Sequence, residues 1–211
     1  MSALQIIDIS MPIHAGMQVY KNKAEKRPTF TTTSDFDEHG AGAHETRICL
    51  DAHTGTHVDA PLHMLPAAAT IESLSLSQLV APCRVVDLTG VEDAVHASDI
   101  EPFQPARGEF LLLKTRNSLE EAFNFSFVYV AEDAARFLAA KGIRGLGVDG
   151  LGVERAQPEH PTHKALFGAN IVIVEGLRLA HVTPGEYLFV AAALPVVGID
   201  AAPARAFLMI P

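Results

Sequence analysis

The side chains best placed to do chemistry together sit in one run, His53-Thr-Gly-Thr-His57-Val-Asp59-Ala-Pro-Leu-His63, which holds three histidines and an aspartate. Unprotonated imidazole and carboxylate groups ligate divalent cations when they converge on a point. A helix would bring His53 and His57 together, but the ring of Pro61 would clash with the carbonyl of His57. In an extended chain, positions 53, 57, 59 and 63 share one parity and therefore one face. Four extended residues span roughly 13 Å, too far for one shared ion, and Gly55 can bend the backbone between the two histidines. The run therefore predicts a bent strand or loop that turns His53, His57 and Asp59 inward.

Three protein ligands leave room for water or a second ion, so further donors are expected. The best candidates are His163, on a short helix, and Glu175, which ends the apolar strand 171–174. His160 competes with His163 in Glu159-His-Pro-Thr-His163. A carboxylate that ends a buried strand must be paired or bound to metal, and Arg178 is the alternative partner for Glu175. His14, His39, His44, His96 and His181 have no ligand-like neighbours.

Strands are expected over 3–9, 45–50, 84–88, 110–115, 145–149, 171–175, 187–192 and 206–210. One long helix is expected over 131–141, acidic at its start and basic at its end, with Gly142 as its stop. Shorter helical turns are predicted at 73–79 and 161–167, and Ser98 to Glu101 has the spacing of a capping box. The stretch 12–33 reads as a long loop. Gly145-Leu-Gly-Val-Asp-Gly150 matches a dinucleotide-binding pattern, but it lies within a predicted strand with no helix behind it. These elements predict one mixed-sheet α/β domain spanning residues 1–211.

Of the 211 residues, 48% are hydrophobic and 19% charged, which supplies a sizeable core. A net charge of −9 opposes binding to nucleic acid. Lys21, Lys23, Lys26 and Arg27 are expected to form a solvated loop rather than a binding patch. Cys49 and Cys83 read as two core thiols in a reducing compartment. Residues 1–12 lack a basic start and a long apolar block, and the apolar stretch 188–199 is broken by Pro195 and too short for a bilayer. The expectation is a cytoplasmic protein acting on a small molecule, with no membrane or nucleic-acid partner.

The 53–63 run resembles the signature of the metal-dependent cyclase/hydrolase family that includes bacterial kynurenine formamidases and isatin hydrolases. Ile7-Asp-Ile-Ser-Met-Pro-Ile-His-Ala-Gly16 is similar to that family's opening. His163 and Glu175, the latter within Val174-Glu-Gly-Leu177, are similar to its second metal-binding block. The resemblance implies that His53, His57 and Asp59 hold one metal, that Asp59 bridges to a second held with His163, and that Glu175 touches both. It favours His163 over His160 and makes His63 the general acid/base. The implied fold is a three-layer β/β/α arrangement of the swivelling-domain kind, assembled as a homodimer. Where kynurenine formamidases carry Trp followed by Pro-Gly, this chain reads Val19-Tyr20-Lys21-Asn22. Tyr20 is thus the expected aromatic wall of the substrate site, and the substrate implied is another small aryl amide or lactam.

Two divalent ions outweigh the charges of Asp59 and Glu175, and the remaining field lowers the pKa of bound water toward neutrality. His with carboxylate suits zinc, and manganese is the alternative. The implied reaction is hydrolysis of a C–N bond in an arylformamide, an N-formylkynurenine-like compound or a cyclic amide, with His63 protonating the leaving amine. A cyclase or dehydratase would use the same groups, and a non-catalytic metal-binding protein would need the ligands without His63.

Overall fold

The computed structural model describes residues 5–210, so two residues of the expected first strand, Ala3 and Leu4, lie outside the described residues. The strands are β1 (Gln5–Asp8), β2 (Thr29–Ser34), β3 (Glu45–Cys49), β4 (His57–Asp59), β5 (Val80–Asp87), β6 (Ala94–Val95), β7 (Phe110–Lys114), β8 (Tyr129–Val130), β9 (Gly145–Val148), β10 (Val172–Glu175), β11 (Gly185–Ala193) and β12 (Ala201–Ile210). The helices are α1 (Leu76–Leu79), α2 (Ala97–Ile100), α3 (Glu132–Lys141) and α4 (Pro161–Gly168).

The mixed α/β character expected from the sequence takes the form of a ring. Strands β12-β11-β5-β7-β9-β10-β4 follow one another, and β4 pairs back to β12, while β1 lies along the far end of β12. Strands β5, β7, β9 and β10 run parallel, and the other pairings of this sheet are antiparallel. Parallel strands are covered on both faces and so read as unbroken apolar runs, as in Phe110-Leu-Leu-Leu113 and Val172-Ile-Val174. Alternate residues fill two cores. Phe110, Leu112, Val172, Val174, Val58 and Phe189 lie inside the ring. Leu111, Leu113, Leu146, Val148 and Ile173 pack outward on Ala134, Ala135, Leu138, Leu166 and Phe167 of α3 and α4.

The Gly-x-Gly of β9 belongs to this packing. A Cβ at Gly145 would lie 2.2 Å from the Phe110 ring, and one at Gly147 would lie 2.5 Å from Leu112. The glycines make room for large neighbours, and the next helix is α4, which begins at Pro161, well after the pattern ends at Gly150. Helix α3 ends as its sequence predicts, on Gly142 in the left-handed region, whose N–H reaches the carbonyls of Leu138 and Ala139.

Three local expectations need correction. The capping box near residue 98 belongs to His96 and Asp99, because Asp99 accepts from the His96 N–H and Ala97 opens the helix. The loop 12–33 ends early, since β2 begins at Thr29 and forms a separate hairpin with β3. Cys49, on that hairpin, is exposed, and only Cys83 is a core thiol. Neither sulfur is in a disulfide.

Candidate metal centre

Strand parity decides where the motif points. In β10, Val172 and Val174 fill the ring, which turns Ile173 and Glu175 to the outer face. Ile173 pairs with Asp59 and Glu175 with His57, and paired residues share a face. All three polar side chains therefore lie outside the ring. Helix α4, opened by Pro161, covers this face and buries His163. The inward turn expected of the motif is a turn under α4.

The bend falls at Gly55, with φ +63°. It is locked by Gly176, which follows Glu175 with φ +71°. A Cβ at Gly176 would stand 2.4 Å from the Gly55 carbonyl oxygen. Thr56 Oγ1 donates to the Gly176 carbonyl at 2.6 Å and accepts from the Met11 N–H at 2.8 Å. This contact folds His53 back over Asp59. Gly176→Ala should therefore destabilise the protein by roughly 2–4 kcal/mol, through backbone displacement and left-handed strain. Thermal unfolding measures the effect, and an unchanged Tm would contradict the role given to this contact.

Donor atoms converge as follows. His53 Nδ1 lies 2.9 Å from Asp59 Oδ1, and His57 Nε2 lies 3.4 Å from the same oxygen. The other Asp59 oxygen is 3.9 Å from His163 Nε2. Glu175 repeats the pattern, with Oε2 at 3.4 Å from His57 Nε2 and Oε1 at 3.6 Å from His163 Nε2. The outer nitrogens are spoken for. His57 Nδ1 donates to the Gly55 carbonyl at 2.9 Å, and His163 Nδ1 lies 2.7 Å from Glu154 Oε2. Such partners fix ring orientation and leave Nε2 as the ligand atom.

Arg178 does not reach Glu175, because its Nη1 donates to the Glu120 carbonyl. Among the described residues, Asp59, Glu154 and Glu175 form ion pairs only with histidines. Burial pulls the His57 pKa down, but Asp59 and Glu175 overcome it and raise it to about 10. His163 is raised to about 10 in the same way, against burial, by Glu154 and Glu175. Burial opposes ionisation of Glu175, and so does the Asp59 charge, yet the two imidazoles hold it down at about 2. Protons thus supply the positive charge that this site demands, and a metal ion competes with them for the same atoms. His57 Nε2 and both Asp59 oxygens are buried without a hydrogen-bond partner among the described residues. Orphaned polar atoms of this kind are costly, and a divalent cation would satisfy all three together.

His63 follows on a single 3-10 turn, Pro61–His63. Its Nδ1 lies 3.2 Å from Asp200 Oδ2, which is also 3.0 Å from His53 Nε2. Burial lowers the His63 pKa, with Asp59 opposing, which favours the neutral ring. His63 also falls within ligand range of Asp59 and His163. His160 stands at the start of α4, exposed, with Nδ1 4.0 Å from Glu154. His44 sits instead beside Asp35 on the exposed hairpin side.

Above these groups opens a pocket of about 290 Å³. Its lining includes His53, His63, His163 and Glu175 with Tyr20, Met64, Leu151 and Gly152. Tyr20 packs edge-on against Phe123, with centroids 5.4 Å apart. Lys21, Lys23 and Lys26 also line the pocket, and Lys21, Lys23 and Arg27 are exposed, as a solvated loop requires.

The Cyclase family model matches residues 7–155. The chain belongs to this family. It is 34% identical to the kynurenine formamidase of Salinibacter ruber over 208 residues, covering 97% of each chain. It is 32% identical to the kynurenine formamidase of Sphingopyxis alaskensis, again over 97% of each. A solved structure described as a potential metal-dependent hydrolase with cyclase activity superposes with a TM-score of 0.92 at 53% identity, covering 98% of both chains. Isatin hydrolase A from Labrenzia aggregata shares the fold, with a TM-score of 0.86 at 22% identity over 99% of this chain and 94% of that one.

Two site residues of this family member escape sequence reasoning. Glu154 receives both the backbone N–H and the ring nitrogen of His163. Its signal is a single carboxylate among Gly and apolar residues, at Leu151-Gly-Val-Glu154. Asp200 lies 137 positions from His63 and carries no local signal. The β12–β4 register puts it there, with the Ala60 N–H donating to its carbonyl at 2.8 Å. No helix among the described residues is long and apolar enough to cross a membrane.

Proposed function

We propose that this protein hydrolyses the C–N bond of a small aryl amide and that two divalent ions, zinc or manganese, are held at the site. The observation that carries this reading is the split of both carboxylates. Asp59 and Glu175 each turn one oxygen to His57 and the other to His163, as bridging ligands between two centres do. His53, His57 and Asp59 would hold one ion, His163 and Asp59 the other, with Glu175 on both. Bound there, the ions would polarise the amide carbonyl and lower the pKa of water.

The remaining work falls to the chain. Asp200 fixes the His63 ring through Nδ1 and leaves Nε2 to take a proton from the attacking water and return it to the leaving amine. Met64, Leu151 and the Tyr20 ring wall off solvent, and Tyr20 offers a stacking face to an aromatic substrate. The kynurenine formamidase relatives support formamide cleavage. Tyr20-Lys21-Asn22, in place of Trp-Pro-Gly, favours an aryl amide or lactam other than N-formylkynurenine.

A substrate panel run on the metal-loaded enzyme and on Tyr20→Ala tests this reading. Formanilide-type amides should be cleaved, Tyr20→Ala should lower kcat/KM without loss of metal, and N-formylkynurenine should be the poorer substrate. Efficiency on N-formylkynurenine above roughly 10⁴ M⁻¹s⁻¹ would overturn the substrate assignment, and inertness to all amides would overturn the reaction.

We further read the ring as flattened into the two β layers of a β/β/α domain spanning 1–211. The protein assembles as a homodimer through the β2–β3 hairpin. Every residue of that hairpin is exposed, including Phe30 at 43% and Ile48 at 56%. A two-stranded ribbon is marginal alone, and a second copy would cover its apolar side chains. Light scattering should give twice the monomer mass, and a Phe30→Glu/Ile48→Glu double variant should be monomeric. A wild-type monomer at micromolar concentration would contradict this. The free thiols Cys49 and Cys83 suit the reducing cytoplasm.

A further inference from the structure

Three of the 16 Lys and Arg residues in this chain of net charge −9 line the pocket above His63 and Glu175. They arise from one short loop, residues 21–26. Lys26 is neutralised, with Nζ 3.0 Å from Asp51 Oδ2. The other lysine ion pair among the described residues is Lys164–Glu159. Lys21 and Lys23 therefore present two unpaired ammonium groups.

Lys21 is part of the pocket wall. Its Nζ stands over the Tyr20 ring, 5.2 Å from the centroid, a contact that favours the cation on that aromatic face. The backbone beneath it is unusual. Lys21 and Asn22 are both left-handed, with φ of 57° and 52°. Side-chain-bearing residues adopt this conformation at a cost, and it persists where surrounding structure imposes it. Here the Asn22 N–H bonds the Val19 carbonyl at 2.9 Å, and Val19 is buried. The loop thus holds its lysines at the mouth on a fixed turn.

An acidic protein repels anions at long range, so a neutral substrate gives this rim no purpose. An anionic one does: its reacting amide would meet the histidine and carboxylate floor while its charge meets the lysines. A pocket of about 290 Å³ accommodates one aromatic ring with two substituents. We propose that Lys21 and Lys23 are specificity-determining residues and that the substrate is an aryl amide carrying a carboxylate directly on its ring. This rests on the amide-hydrolase reading of the same site.

The test compares formanilide with 2-, 3- and 4-formamidobenzoate on the metal-loaded full-length enzyme. At least one acid should exceed formanilide in kcat/KM, and added salt should erode the difference. In a Lys21→Gln/Lys23→Gln double variant the ratio of acid to formanilide should fall about tenfold, the worth of charge-assisted contacts. Lys141→Gln, at the exposed end of α3, should leave the ratio where it was. A ratio insensitive to Lys21 and Lys23 overturns the proposal. If no amide is cleaved, the reaction assignment fails separately, and binding decides the lysines' role. Fluorescence titration with 2-aminobenzoate should then give a weaker Kd for the double variant, and an equal Kd overturns the proposal.

Discussion

His63→Ala is expected to lower kcat by roughly 10²–10⁴-fold, the range for loss of a positioned acid/base group, while both metal ions stay bound. The expectation follows from its surroundings. His63 is half-buried, its pKa lowered by burial, and anchored at Nδ1 by Asp200, a residue outside the Asp59–Glu175 pair. The alternative is equally concrete, since His63 lies within ligand range of Asp59 and His163. Elemental analysis beside steady-state kinetics separates the two. A His63→Ala protein that has lost its metal would make His63 a ligand.

Asp59→Asn should be more severe. The amide matches the carboxylate in size, so packing beneath α4 survives. The substitution removes the charge that, with Glu175, keeps His57 protonated without metal, and it replaces one bridging oxygen by a donor. Turnover should fall by more than about 10³-fold, in keeping with the several kcal/mol of charge stabilisation that metal ions supply. Metal content should fall with it. An Asn variant that keeps two ions and half its activity would show that Asp59 is not shared between two centres.

Much of the site is legible in the sequence because strand parity is local. His57 and Asp59 share a face of β4 whatever the strand pairs with, and Gly55 marks the bend that folds His53 back toward them. Glu175 is legible because an unpaired carboxylate at the end of Val172-Ile-Val174 is unaffordable. The elements 110–114, 145–148 and 185–193 appear within a few residues of their predicted limits for the same reason: their apolar runs must be covered. Long-range pairing has no such signature. The closure of the ring rests on a three-residue strand, β4, lying between β10 and β12. That closure alone brings Asp200 to His63. The lysine rim is obscure for a different reason, since lysines in a polar loop look alike in solvent and over a pocket until Tyr20 is placed beneath them. Cys49 looks like a core residue because Ile48 and Leu50 flank it in a strand-like run, yet its hairpin stands apart from the ring.

Two divalent ions on Asp59 and Glu175 are proposed to drive amide hydrolysis. The most direct measurement titrates zinc or manganese into chelator-stripped protein while following both bound metal and formanilide cleavage. The stripped protein should show no turnover, binding should saturate at two ions per chain, and activity should rise with occupancy. Full activity in protein shown to be metal-free would contradict the proposal.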